Sequence, residues 1–264
     1  LYMLARAQAL AGDTAALQSF QAVRNRVSAG SSDPLGLAAA SLGEEAFLAL
    51  RDGDIERAIA GYAEQASHSS QSGLNSLLMI GRSEWLREPD QVSQLLQGPL
   101  GRQLALAYLF SRSHELPPDD GETQDWPPPT PPNSKALLDL LHALDLALPA
   151  ADAGRDRLAA IAYRAGRYED AQRVLGSVES PLASWVRAKL ALRAGDVNAA
   201  TAAYASAIER FPASEEWGLS PQRDADGYST GSEDLVPRCR VSAEAGILAL
   251  SRGDYLQAMQ LFYD

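Results

Sequence analysis

Residues 180–214 read SPLASWVRAKLALRAGDVNAATAAYASAIERFPAS, and this stretch decides the fold. Leu182, Trp185, Ala188, Ala191 and Leu192 fall at three- and four-residue spacing, which puts them on one face of a helix. Gly195 stops that helix, because glycine enters the left-handed turn without a side-chain penalty. A second helix follows, with Ala200, Tyr204, Ala207 and Ile208 on one stripe, and Pro212 blocks its continuation. The small residues Ala188 and Ala200 let the two backbones approach closely, and Tyr204 fills the space beside them.

Copies of this unit recur. Counted from the turn glycine, Ala46, Gly53, Ala58 and Tyr62 repeat the spacing of Ala188, Gly195, Ala200 and Tyr204. Ala159, Gly166, Ala171 and Leu175 do so again, as do Gly246, Gly253, Ala258 and Phe262. A unit of two helices with these residues resembles the tetratricopeptide repeat, a helix-turn-helix of about 34 residues. The resemblance rests on Ala188, Gly195, Ala200, Tyr204, Ala207 and Pro212; Trp185 stands one place out of register with the family's first-helix aromatic. It covers residues 39–67, 152–180, 181–214 and 239–264 well. Residues 1–30, 72–97 and 100–148 are read as degenerate helical pairs, the first with a Gly12 turn and Leu17 in place of the small residue. The expectation is one all-α domain over residues 1–264. By the resemblance it is a right-handed superhelical solenoid of about seven antiparallel helix pairs.

Local signals place the ends of the elements. Asp33 is expected as the N-cap of a helix with Pro34 at its first position. Pro89 breaks a helical period that runs through Leu74, Leu77, Leu78, Trp85 and Leu86, and residues 90–97 read as a short return helix. Two long loop insertions interrupt the array, at residues 115–133 and 213–237. Both are acidic and each holds one tryptophan, Trp126 or Trp217. The first carries a proline run that favours polyproline II.

Composition narrows the function classes. The chain has 264 residues, 46% of them hydrophobic, ample for a core, and a net charge of −11. That charge disfavours non-specific binding to nucleic acid or anionic lipid. No apolar run reaches the ~18 residues of a membrane span, so direct membrane insertion is not expected. The single cysteine, Cys239, excludes an internal disulfide framework. The sequence starts without methionine inside a helical pattern and stops inside another, which predicts a piece of a longer protein. The compartment stays open.

No catalytic constellation emerges. His68, His114 and His142 are scattered outside metal-ligand spacing, and the glycines punctuate helices rather than forming a phosphate loop. Neither a catalytic residue, a metal nor a cofactor is expected. The informative pattern lies on the first helices, which in the resembled family line the concave groove. Two places before the turn glycine stand Arg51, Arg164 and Arg193; six and ten before Gly195 stand Lys189 and Trp185. With Tyr163 and Arg240 these form the candidate partner-binding groove, a basic surface with an aromatic platform, suited to carboxylates. The same arginines also sit where the helix dipole favours cations. Asparagine-based clamps for a C-terminal carboxylate, used by chaperone-binding members of the family, are not expected, because the matching places hold Phe47, Ala160 and Ile247.

The leading expectation is therefore a non-enzymatic scaffold that holds a protein or peptide partner, an acidic one among the candidates. Two alternatives stand beside it: a spacer arm of a larger enzyme or secretion assembly, and a binder of a small anionic ligand between insertions and groove.

Overall fold

The computed structural model describes residues 1–116, 134–150, 154–223 and 229–263. Among them helix dominates. In chain order the α-helices begin with α1 (Tyr2–Leu10), α2 (Ala15–Ser28), α3 (Leu37–Arg51), α4 (Ile55–Ser67) and α5 (Gln71–Arg82). Next come α6 (Pro89–Leu95), α7 (Pro99–Ser111), α8 (Ser134–Ala147), α9 (Gly154–Arg164) and α10 (Tyr168–Leu175). The last four are α11 (Pro181–Arg193), α12 (Val197–Arg210), α13 (Pro237–Ser251) and α14 (Tyr255–Tyr263). Strands β1 (Leu219–Arg223) and β2 (Ser229–Asp234) form an antiparallel hairpin between α12 and α13. The helices divide into two compact units, α1–α8 and α9–α14, the latter with the hairpin.

Five helix pairs share one turn: α1/α2, α3/α4, α9/α10, α11/α12 and α13/α14. Gly12, Gly53, Gly166, Gly195 and Gly253 all have φ between +72° and +83°. In each, the amide after the glycine donates to a carbonyl five residues back, as from Asp54 to Ala49 and from Asp196 to Ala191, both at 2.9 Å. This closes the last helical turn in a Schellman motif. In three of the turns an aspartate then opens the next helix. Asp54, Asp196 and Asp254 accept from the backbone amides of Arg57, Ala199 and Gln257. Stop and start signals are thus adjacent, which leaves the two helices antiparallel and in contact.

The expected stripe is the core. Ala46, Ala58, Ala159, Ala171, Ala188 and Ala200 are all buried, and Tyr62, Leu175 and Tyr204 fill the space beside them. In the last pair Gly246 stands where the others carry alanine. A Cβ there would lie 2.7 Å from the Phe262 ring, so Phe262 occupies the space that an alanine side chain would take. The core of the second unit gathers Trp185, Ala188, Tyr204, Ala207, Phe211 and Val241. Phe211 adopts an extended backbone before Pro212, which ends α12 where the sequence predicts.

Four expectations change. In the first pair the buried places are Ala16 and Phe20, one residue earlier than the register predicts, and Leu17 is only partly buried. The second helix there starts one residue later after its glycine, and its inward face is rotated relative to the other pairs. Pro34 does not begin α3. It lies in a turn, and Asp33 reaches over that turn to accept from Leu37 and Ala38 amides at 2.8 Å each. Residues 72–97 are not a packed helix pair: α5 packs mainly on α4, while α6, only seven residues long, packs on the 3-10 turn Glu84–Leu86 and on α8. Two turns of helix are too short to cover α5, and Pro89 opens α6 at its first turn rather than merely ending the helix before it. The insertion at 213–237 is not a plain loop, because it contains the β1–β2 hairpin. Small polar residues gave no alternating pattern there, and the ladder is made by backbone groups. The acidic insertion at 115–133 lies, from residue 117 onward, outside the described residues.

One long-range cap fixes the first unit. Glu56, in the first turn of α4, accepts from the backbone amides of Leu100 and Gly101 at 2.8 and 3.1 Å. Its carboxylate therefore serves the free N–H groups and the positive dipole end of α7.

Candidate functional site

The site is built on α11. Trp185, Lys189 and Arg193 follow at four-residue spacing, so they form one row along its face. The neighbours α9 and α13 both pack within the same unit, α9 against α11 and α13 against α12. Together they bring Tyr163, Lys189, Leu192, Arg193, Tyr204, Glu244 and Ile247 around an open depression of about 460 Å³.

At its centre is Glu244 of α13. Its Oε2 accepts from the Trp185 indole Nε1–H at 2.7 Å and from the Tyr204 hydroxyl at 3.1 Å. Its Oε1 accepts from Lys189 Nζ at 2.8 Å. Lys189 Nζ also sits 5.3 Å from the centroid of the Trp185 ring, a cation–π arrangement. The carboxylate thus meets an indole donor, a phenol donor and an ammonium at once. Burial, and then the negative charge of Glu244, push the Tyr204 phenol well above its ordinary value. The phenol therefore stays protonated and donating.

One helical turn further along α11, the Arg193 guanidinium lies over the Tyr168 ring at 3.8 Å. Tyr168 meets Tyr163 edge-on, with centroids 5.2 Å apart. Burial is the main reason that the Tyr163 phenol is also raised. Stacking fixes the plane of the guanidinium, which reduces the freedom Arg193 would lose on pairing with a planar anion. Leu192 and Ile247 supply exposed apolar surface on either side.

The sequence-predicted residues separate into four groups. Tyr163, Lys189 and Arg193 line the depression. Trp185 lies beneath it, 8% exposed, so its ring is part of the core, while its N–H meets Glu244 and its face meets Lys189. Trp217 from the insertion stacks on that ring at 6.0 Å, and Phe211 meets both indoles edge-on. Arg164 and Arg240 are exposed but do not line the depression. Arg51 belongs to the first unit, where its guanidinium pairs with Asp52 at 3.2 Å, both side chains at least half exposed. No family model matches the chain, and comparison with curated proteins finds no match. No helix among the described residues is long and apolar enough to cross a membrane.

Sequence reasoning missed Glu244, the residue that joins the site. Its partners lie 40 to 59 positions away, on another repeat. A signal was nevertheless present. In the first unit Glu44 of α3 accepts from the Tyr2 hydroxyl at 3.1 Å and pairs with Arg6 Nε at 3.0 Å. Tyr2 and Arg6 stand ten and six places before Gly12, as Trp185 and Lys189 do before Gly195. Glu44 and Glu244 stand nine places before Gly53 and Gly253. An aromatic and a base on one first helix, with a glutamate on a later first helix, is therefore a constellation that the chain builds twice.

Proposed function

We propose that the chain is a non-enzymatic scaffold that binds an extended segment of a partner protein along its first helices. In this reading the helix pairs continue one another as a tetratricopeptide-like solenoid, right-handed by that likeness. The observation that carries the reading is the depression on α9, α11 and α13. It is open rather than enclosed, and it sets two cations and phenol hydroxyls between apolar rims. An extended peptide can lay alternate side chains on Leu192 and Ile247 and reach Lys189 and Arg193 with an acidic one. The net charge of −11 argues against nucleic acid or an anionic membrane as the partner.

The experiment is fluorescence anisotropy with three labelled twelve-residue peptides of equal apolar content, one acidic, one neutral and one basic. The acidic peptide should bind best and weaken as salt is raised. Arg193→Gln should weaken it further. Equal binding of all three, or indifference to Arg193→Gln, would refute the reading. Failure of every peptide would leave the spacer-arm function in its place.

A further inference from the structure

Glu244 is held as a ligand would be. Three side chains from α11 and α12 converge on one carboxylate that arrives from α13, through the indole N–H, a phenol O–H and an ammonium. Two of the three donors, Trp185 and Tyr204, are buried in the core, and the Trp185, Phe211 and Trp217 rings pack mutually. The occupant is less enclosed. The Glu244 side chain is 26% exposed and borders the open depression together with Lys189, itself 29% exposed. The Tyr2, Arg6 and Glu44 arrangement repeats two of the three donors, an aromatic side chain and a base on one first helix, around a glutamate of the other unit.

We propose that Trp185, Lys189 and Tyr204 form a carboxylate-binding cradle, filled from within the chain by Glu244 and entered by an acidic side chain of a bound segment that displaces it. The inference deepens the groove reading and rests on it for the identity of the incoming carboxylate. It differs from an asparagine clamp for a chain terminus, because its donors are an indole, a phenol and an ammonium, and its internal occupant is a side-chain carboxylate. Exchange keeps the bonding constant, one carboxylate replacing another. Glu244 is a competitor held in place by α13, so an incoming carboxylate must displace a group already bonded. The site would therefore be selective for segments that also gain contacts with Arg193, Leu192 and Ile247, and indifferent to free carboxylates.

The test vacates the cradle in the full chain. Glu244→Ala is made, with Glu244→Ser as a second variant should the first fail to fold. Acetate is titrated at constant ionic strength against chloride, while the Trp185 indole ¹H–¹⁵N resonance is followed. In the vacated chain the resonance should move saturably toward its wild-type position with acetate, not with chloride. Adding Lys189→Met should weaken that response by at least about tenfold. The unaltered chain should not respond. Vacating the cradle should also tighten binding of the acidic peptide by about tenfold or more, whereas Glu244→Gln, which still fills the space, should not. Saturable acetate binding without any peptide binding would support the cradle and refute the groove reading. A folded vacated chain with no saturable acetate response would overturn the cradle whatever the peptide does.

Discussion

Tyr204→Ala should destabilise the second unit by about 3–5 kcal/mol, the range for large-to-small changes at buried aromatics. The side chain is 2% exposed and sits in one cluster with Trp185, Ala188, Phe211 and Val241. A buried aromatic removes about 150–250 Å² from water. At about 25 cal/mol per Å² that corresponds to about 4–6 kcal/mol, an upper bound because unfolded chains already bury part of it. Tyr204→Phe separates the ring from its hydroxyl. It removes only the bond to Glu244, which keeps Trp185 and Lys189 and is reached by water. Its cost should be about 0.5–1.5 kcal/mol. The assay is urea unfolding with linear extrapolation. Because the chain has two units, the transition is followed by Trp185 and Trp217 fluorescence after Trp85 and Trp126 are replaced by Phe. An alanine cost below about 1 kcal/mol would show that the stripe is not the core. A phenylalanine cost equal to the alanine cost would show that the hydroxyl, not the ring, carries the packing.

Gly195→Ala should cost about 1–2 kcal/mol through its φ of +75° alone, since a Cβ there meets nothing within 4 Å; Gly195→Asn should cost less, and equal stability of all three in urea would refute the turn. Ala200→Leu should cost about 1–3 kcal/mol by overpacking against α11, read as a lower urea midpoint. Glu56→Gln should weaken the first unit by about 0.5–2 kcal/mol, because the N-terminus of α7 loses a charged cap, and thermal unfolding followed by Trp85 would detect it. Stability should also fall above about pH 10, the ordinary tyrosine value. Burial raises Tyr2, Tyr62, Tyr163 and Tyr204, so the native state holds protons that the unfolded chain releases first, and the stabilisation is complete below that pH and lost as pH rises. Tyr204→Phe should flatten the slope for the second unit; an unchanged slope would contradict the assignment.

The helix pairs were legible because their signals are local. A glycine, an aspartate or arginine after it, and alanines at fixed distances on either side specify both the turn and the close approach of the helices. Residues 71–97 were less legible, because the length of α6 depends on the 3-10 turn before it and on α8 far along the chain. The hairpin was invisible for another reason: backbone pairing of Leu219–Arg223 with Ser229–Asp234 leaves no apolar alternation to read. At the candidate site the row Trp185, Lys189 and Arg193 could be read from one helix. Its burial and charge balance could not. Trp185 is covered by Phe211 and Trp217, and Lys189 is matched by Glu244, each contributed by a different element.

The proposed partner segment lies along α9, α11 and α13. The most direct measurement is photo-crosslinking of the acidic peptide, carrying a benzophenone at each position in turn, to the full chain, with the adducts located by mass spectrometry. Adducts should concentrate around Tyr163, Leu192, Arg193 and Ile247 and disappear under excess unlabelled acidic peptide. Adducts confined to α12 and α14, or spread evenly over both units, would contradict the account.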